Sequence, residues 1–140
     1  QWHYIFMDNI QETKLENFDR EAKFIFRFLV DKYGYKLLSV NKNSNSVYHY
    51  YLNEIENLKI EISNAPYYTD YGFSIFIYNQ NIGDYFLIYN IPGELQNSNN
   101  NDFLKNVYQI ISMSEDFINV ITDKSKWNKF PSLHLKKSKK

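Results

Sequence analysis

The spacing of the β-forming segments constrains the fold of this chain more than any other feature. Between residues 35 and 89, five short runs rich in β-branched and aromatic residues alternate with brief polar segments. These connections are too short for the helical crossover that parallel strands need. We therefore predict an antiparallel meander with strands at Tyr35–Val40, Val47–Leu52, Leu58–Ser63, Phe73–Tyr78 and Tyr85–Tyr89.

A helix is predicted on each side of this β region. Thr13 and Glu16 fit a capping box, and apolar residues at three- and four-residue steps continue to Tyr33. From Phe103 to Ile121 the same spacing gives a second, wider apolar stripe. If both helices cover one face of the sheet, the order α-β-β-β-β-β-α makes a two-layer α+β sandwich whose other face is open.

Charge divides the chain into two parts. Residues 1–123 hold 9 Lys and Arg against 16 Asp and Glu, whereas residues 124–140 hold 7 Lys and no acid. We therefore predict a single acidic α+β domain over residues 1–123 and a basic tail over residues 124–140.

Several function classes find no support in the sequence. The chain has no cysteine, no glycine-rich phosphate loop and no zinc-type pair of histidines. No apolar run approaches the ~18 residues of a membrane span, and no secretory leader is visible. We predict a cytoplasmic, non-enzymatic protein without a cofactor, a metal site or a transmembrane segment.

Two weaker candidates for chemistry stay open at this point. His49 lies in a tyrosine-rich strand and is a candidate catalytic base, although a strand histidine is more often structural. Glu54, Glu56 and Glu61 cluster near one hairpin and are candidate metal ligands, although acids in turns are usually solvated.

A tyrosine-rich loop is the first candidate binding surface. Between Pro66 and Gly72 the chain places three tyrosines and an acid in one connection: Tyr67, Tyr68, Asp70 and Tyr71. Tyrosine gives a large contact area at low entropic cost, which favours binding. Alternatively, these rings fold over the sheet edge and close the core.

The open sheet face is the second candidate. If Phe73, Ile75 and Ile77 face the helices, Phe76 and Tyr78 face away from them, and the facing of Tyr48 and Tyr50 stays ambiguous. An aromatic outer face favours a protein partner or a homodimer. The alternative is a set of half-buried tyrosines with solvated hydroxyls.

The basic tail mixes lysine with aromatic residues, which is typical of contacts with nucleic acid or an anionic membrane. Lysine without arginine argues against base-specific readout. A solubilising tail, or a tail that packs on the acidic body, is the alternative. The candidate residues are Lys124, Lys126, Trp127, Lys129, Lys136 and Lys137.

Residues 18–78 resemble small bacterial immunity proteins encoded beside polymorphic or contact-dependent toxins. The resemblance is carried by the helix ending Leu29–Tyr35 and by the strand segments Leu58–Ile62 and Tyr71–Ile75. It implies a cytoplasmic inhibitor that plugs a toxin. An acidic body with exposed aromatic residues suits a basic toxin domain as partner.

Overall fold

A five-stranded antiparallel sheet forms one layer of the molecule. The structure, a computed structural model, describes residues 12–67, 72–96 and 100–129. The strands lie in the order β1-β2-β3-β4-β5, so each strand pairs with its sequence neighbours, as the short connections predicted. Their bounds are β1 Lys36–Lys42, β2 Val47–Asn53, β3 Leu58–Ala65, β4 Gly72–Asn79 and β5 Asp84–Ile91.

Asparagine side chains shape three of the hairpin turns. Asn43 Oδ1 accepts hydrogen bonds from the backbone N–H groups of Asn45 and Ser46, at 2.8 and 2.9 Å. Asn53 and Asn79 hold the next described turns in the same way, through the N–H groups of Glu56 and Asn81. A side-chain carbonyl in this position replaces a backbone acceptor and fixes the conformation of the turn. The turn conformation then sets the register of the two strands that it joins.

Two helices stand where the sequence predicted one N-terminal helix. α1 Lys14–Ile25 begins with the expected capping box, in which Thr13 and Glu16 satisfy each other's backbone N–H groups. The chain then turns at residues 26 and 27 before α2 Phe28–Tyr33, which ends at Gly34 in the left-handed conformation. The turn places the Phe28 ring edge-on against Tyr108, with 5.1 Å between centroids.

The C-terminal helical segment is also divided. α3 Phe103–Ser112 and α4 Glu115–Thr122 are separated by Met113 and Ser114. The Ser114 hydroxyl accepts a hydrogen bond from the Phe117 N–H at 3.1 Å and is the N-cap of α4. Serine at this position favours a helix start over a helix interior, which explains why the continuous apolar stripe does not form one helix.

The four α-helices of the described residues lie on one face of the sheet, which confirms the predicted two-layer α+β sandwich. Phe18 of α1, Val107 of α3 and Phe117 of α4 meet the inward side chains of the strands in a single core. The strand residues in that core are Val47, Tyr51, Leu58, Ile60, Ile62, Phe73, Ile75, Ile77 and Ile88. The opposite face of the sheet is covered by none of the described helices.

The start of the predicted basic tail packs with the domain. Residues Lys124–Lys129 form a 3-10 helix, and the Trp127 side chain is 5% exposed. Its ring lies 4.9 Å from that of Phe86, and its Nε1–H donates to Asp84 at 3.1 Å. Trp127 therefore belongs to the packed domain and not to a solvated tail surface. Lys136 and Lys137 lie outside the described residues.

Candidate functional site

The uncovered face of the sheet carries three rows of side chains that run across the strands. The outward residues of β2 and β4, and Lys59 and Glu61 of β3, are only partly buried, while the inward residues between them are buried. Ser63 also faces away from the helices but is itself buried. The strand register aligns these outward residues across the sheet. The rows are Asn41, Tyr48, Ser63, Ser74 and Asn90; then Ser39, Tyr50, Glu61, Phe76 and Leu87; then Lys36, Leu52, Lys59, Tyr78 and Tyr85.

Five aromatic rings dominate this face. The rings of Tyr48 and Tyr50 stack with 6.3 Å between centroids and 7° between planes. Across β3, the Tyr78 ring stacks on Tyr85 at 5.5 Å, and Phe76 contacts both at 6.3 and 6.1 Å. Mutual packing of this kind holds the rings in place before a partner arrives, which lowers the entropic cost of binding.

Lys59 joins the two groups of rings. Its Nζ lies 5.4 Å from the centroid of Tyr50 and 5.1 Å from that of Tyr78. The positive charge therefore sits between two negative ring faces, which is a favourable cation–π arrangement. Lys59 thus links β2 to β4 across the strand on which it lies.

Glu61 adds a partly buried carboxylate in the next row. The Tyr78 hydroxyl donates a hydrogen bond to Glu61 Oε1 at 3.2 Å. Burial raises the pKa of the Glu61 carboxyl, and the hydrogen bond from Tyr78 and the charge of Lys59 oppose part of that rise. Burial and the neighbouring Glu61 charge also raise the pKa of Tyr78 to about 12, so the tyrosine stays a hydrogen-bond donor at neutral pH.

A hollow of about 410 Å³ lies beside this carboxylate. Its floor consists of small residues at one end of β3 and β4, where Ser63 pairs with Ser74 and Ala65 with Gly72. The two serine hydroxyls are 3.2 Å apart and hydrogen-bonded to each other. Larger side chains of the neighbouring strands form the walls, namely Tyr48, Phe76, Leu87 and Asn90.

A larger hollow of about 470 Å³ lies on the helical side, between α1, α2 and α3. Apolar groups such as Phe24, Phe28 and Tyr108 line it, and the charges around it have both signs. Two of these charges neutralise each other, since Arg27 and Asp31 form an ion pair at 3.3 Å.

We take the open sheet face as the candidate site because it combines the half-buried carboxylate of Glu61 with converging aromatic rings.

The structure brings part of the predicted site together. Phe76 and Tyr78 lie on the open face as expected, and Tyr48 and Tyr50, whose facing was ambiguous, lie there with them. Tyr67, two residues beyond the end of β3, is 56% exposed. Tyr68, Asp70 and Tyr71 lie outside the described residues, so the prediction for the rest of that loop stays a prediction.

Sequence reasoning missed Tyr85, Lys59 and Glu61 as part of this surface. For Lys59 and Glu61 the signal was present, because they alternate with Leu58, Ile60 and Ile62 along β3. Tyr85 had no such signal. Tyr85 pairs with Tyr78 on the turn side of the β-bulge between Ile75 and Phe76, so the turn between β4 and β5 sets the register that turns Tyr85 outward.

His49 has a structural position. Its side chain is fully buried beneath α1, with its Nε2 2.8 Å from Asp19 Oδ1 and its ring 5.8 Å from that of Phe18. It lines none of the hollows described above. The hypothesis of catalysis at His49 required a concave pocket that includes this residue, and the structure gives it no support.

The three glutamates proposed as metal ligands lie in different surroundings. Glu54 pairs with Lys36 at 2.9 Å, Glu56 accepts a hydrogen bond from the Lys124 N–H, and Glu61 lies on the open face. Within the described part of the chain, no group of three His, Cys, Asp or Glu side chains could hold a metal ion. In the same residues, no helix has both the length and the apolar character needed to cross a membrane.

No family model, curated protein or solved structure matches this chain. The resemblance of residues 18–78 to immunity proteins therefore stays a prediction. The function has to be inferred from the geometry and chemistry of the chain's own residues.

Proposed function

We propose that this protein is a non-enzymatic binding module that contacts another protein through the open face of its sheet. The observation that carries this proposal is the cluster of five aromatic rings on the face that no described helix covers. Aromatic residues are enriched at the centres of protein interfaces, where they bury a large area at little entropic cost.

The partner that we propose is a basic protein domain, specifically a cognate bacterial toxin that this protein would inhibit by occlusion in the cytoplasm. Two features support this choice. Residues 18–78 resemble immunity proteins, and residues 1–123 carry 16 acidic against 9 basic side chains. Such an excess of negative charge accelerates association with a basic surface and disfavours acidic competitors.

An adaptor for nucleic acid or a membrane surface, using the lysines of residues 124–140, is the alternative. The position of Trp127 weakens this hypothesis, because an indole packed against Phe86 is not free to stack on a base. Protein binding through the open face therefore has the stronger support.

The first experiment is co-expression with the products of neighbouring genes, followed by affinity capture and calorimetry with the purified pair. The double variant Tyr50→Ser/Tyr85→Ser removes two rings from the open face. We expect it to weaken binding at least about tenfold, as is usual for aromatic residues central to an interface. Binding should also weaken as salt rises, because the partner is basic.

The matched control removes two exposed apolar side chains from the helical side. Phe24 and Met113 are 73% and 82% exposed, and Phe24→Ser/Met113→Ser should leave the affinity unchanged. An equal loss of affinity in both double variants, or the absence of a partner among the neighbouring gene products, would count against the proposal. A concentration-dependent dimer that only Tyr50→Ser/Tyr85→Ser disrupts would assign the open face to self-association instead.

A further inference from the structure

The hollow on the open face has the dimensions and walls to accept one side chain. Its volume is about 410 Å³, and its floor is low because serine, alanine and glycine occupy the adjoining positions of β3 and β4. Tyr48 and Phe76 stand at its sides. A side chain entering here meets aromatic rings at the walls and the hydroxyl groups of Ser63 and Ser74 at the floor.

Glu61 is the charged residue among those lining this hollow. One of its oxygens accepts the Tyr78 hydrogen bond, and no described residue donates to the other. Lys59 does not neutralise it at close range, because the two side chains form no ion pair and the ammonium group lies over the rings of Tyr50 and Tyr78. The hollow therefore presents the negative charge of Glu61, and the second carboxylate oxygen can accept a further hydrogen bond.

A guanidinium group matches this arrangement better than an ammonium group. Its planar face stacks on aromatic rings, and its fork of N–H donors can reach a carboxylate and hydroxyl oxygens together. It is also more weakly hydrated, so that entry into a half-buried site costs less.

We propose that this hollow is the receptor for an arginine side chain projecting from the partner. Glu61 accepts the guanidinium, Tyr48 and Phe76 flank it, and the serine hydroxyls accept its remaining donors. This inference rests on the proposed function, since it names the chemistry by which the open face recognises a basic protein.

The test uses a small probe, so it does not depend on finding the partner. Titration of the full-length ¹⁵N-labelled protein with N-acetyl-arginine amide should give saturable NMR shifts confined to the strand segments that line the hollow, namely residues 47–49, 61–65, 72–76 and 87–90. N-acetyl-citrulline amide, which has the same shape without the charge, should not. Glu61→Gln keeps an acceptor for Tyr78. It should weaken binding of the arginine probe at least about tenfold, the usual effect of losing a charge-assisted hydrogen bond.

Glu54→Gln is the matched control, because it removes a negative charge from an exposed turn outside the hollow. It should leave binding of the probe unchanged. Equal shifts with citrulline, equal affinity for N-acetyl-lysine amide, or an unaltered response of Glu61→Gln would overturn the inference. If the arginine probe does not bind, but Tyr50→Ser/Tyr85→Ser still weakens binding of the partner protein, the inference of an arginine receptor is wrong and the proposed function stands.

Discussion

Asp19 and His49 form a pair beneath α1 that couples the stability of the domain to pH. Burial lowers the pKa of His49 below its usual value near 6.5, and the Asp19 charge opposes only part of this effect. Burial raises the pKa of Asp19, but the hydrogen bonds from His49 and Lys42 and the charge of Lys23 outweigh it, so the net shift is downward. His49 Nδ1 is buried without a hydrogen-bond partner among the described residues.

A histidine with a lowered pKa binds its proton less tightly in the folded state than in the unfolded state. The free energy of unfolding should therefore fall as the pH drops below about 6.5, by up to about 1.4 kcal/mol per pH unit until the folded pKa is reached. His49→Gln keeps an amide donor for Asp19 but does not titrate. We expect urea unfolding of this variant to depend less on pH between 5 and 7 than unfolding of the wild type.

Val107→Ala is the control for this prediction, because it destabilises the same core without removing a titratable group. Its unfolding should keep the pH dependence of the wild type. The lowered pKa of Asp19 affects stability only as the pH falls below 3.8, the ordinary pKa of an aspartate. It therefore does not contribute to the slope measured between pH 5 and 7. The same slope for His49→Gln and the wild type would contradict this account.

At the scale of elements, the start of β4 depends on a close approach of three backbone segments. Gly72 has a φ of +93°, and a Cβ added there would lie 2.2 Å from the Ile91 carbonyl oxygen and 2.5 Å from the Gly93 nitrogen. Both obstacles are backbone atoms, so they cannot rotate away. Glycine at residue 72 thus lets β4, β5 and the 3-10 helix Gly93–Leu95 meet.

Gly83 gives a matched comparison for this packing. Its φ is +68°, but nothing lies within 4 Å of an added Cβ. We expect Gly83→Ala to cost about 1–2 kcal/mol of stability from backbone strain alone. Gly72→Ala adds a backbone clash to the strain of a positive φ, and should cost about 3–5 kcal/mol. Urea unfolding of the two variants measures the difference, and equal losses would show that the close approach relaxes freely.

At the scale of the whole molecule, the C-terminal 3-10 helix closes one side of the core. Trp127 covers Phe86 of β5, and its Nε1–H reaches Asp84 at the start of the same strand. β5 is an edge strand of the sheet. The indole therefore gives this edge strand apolar contact and a hydrogen bond that the rest of the sheet does not supply.

Trp127→Ala should destabilise the domain by about 3–5 kcal/mol, because it empties a large buried site. Trp127→Phe keeps an aromatic ring over Phe86 but loses the hydrogen bond to Asp84, and should cost about 1–2 kcal/mol. Lys126→Ala, at the neighbouring position, is the control and should have little effect. Thermal unfolding ranks the three variants, and a neutral Trp127→Ala would place residues 124–129 outside the cooperative unit.

The local pattern of the sequence was enough to predict the architecture. The connections between β-forming runs are short, so each strand pairs with its sequence neighbours, and the alternation along β3 separates Leu58 and Ile60 from Lys59 and Glu61. The capping box at Thr13 follows from local hydrogen bonding. These features involve residues a few positions apart, which is why one sequence predicts them.

Tertiary structure decided the features that the alternation of apolar and polar residues along each strand could not predict. The bulge between β4 and β5 and the docking of Trp127 depend on contacts between residues far apart in the chain. The candidate site has the same origin, since Tyr48, Glu61 and Phe76 come from three strands and meet only through the register of the sheet. Sequence by itself determined the alternation of β3 and β4 between the core and the open face, because that alternation is local. The three-dimensional packing determined the facing of Tyr48, Tyr50 and Tyr85 and which outward side chains meet to form a binding surface.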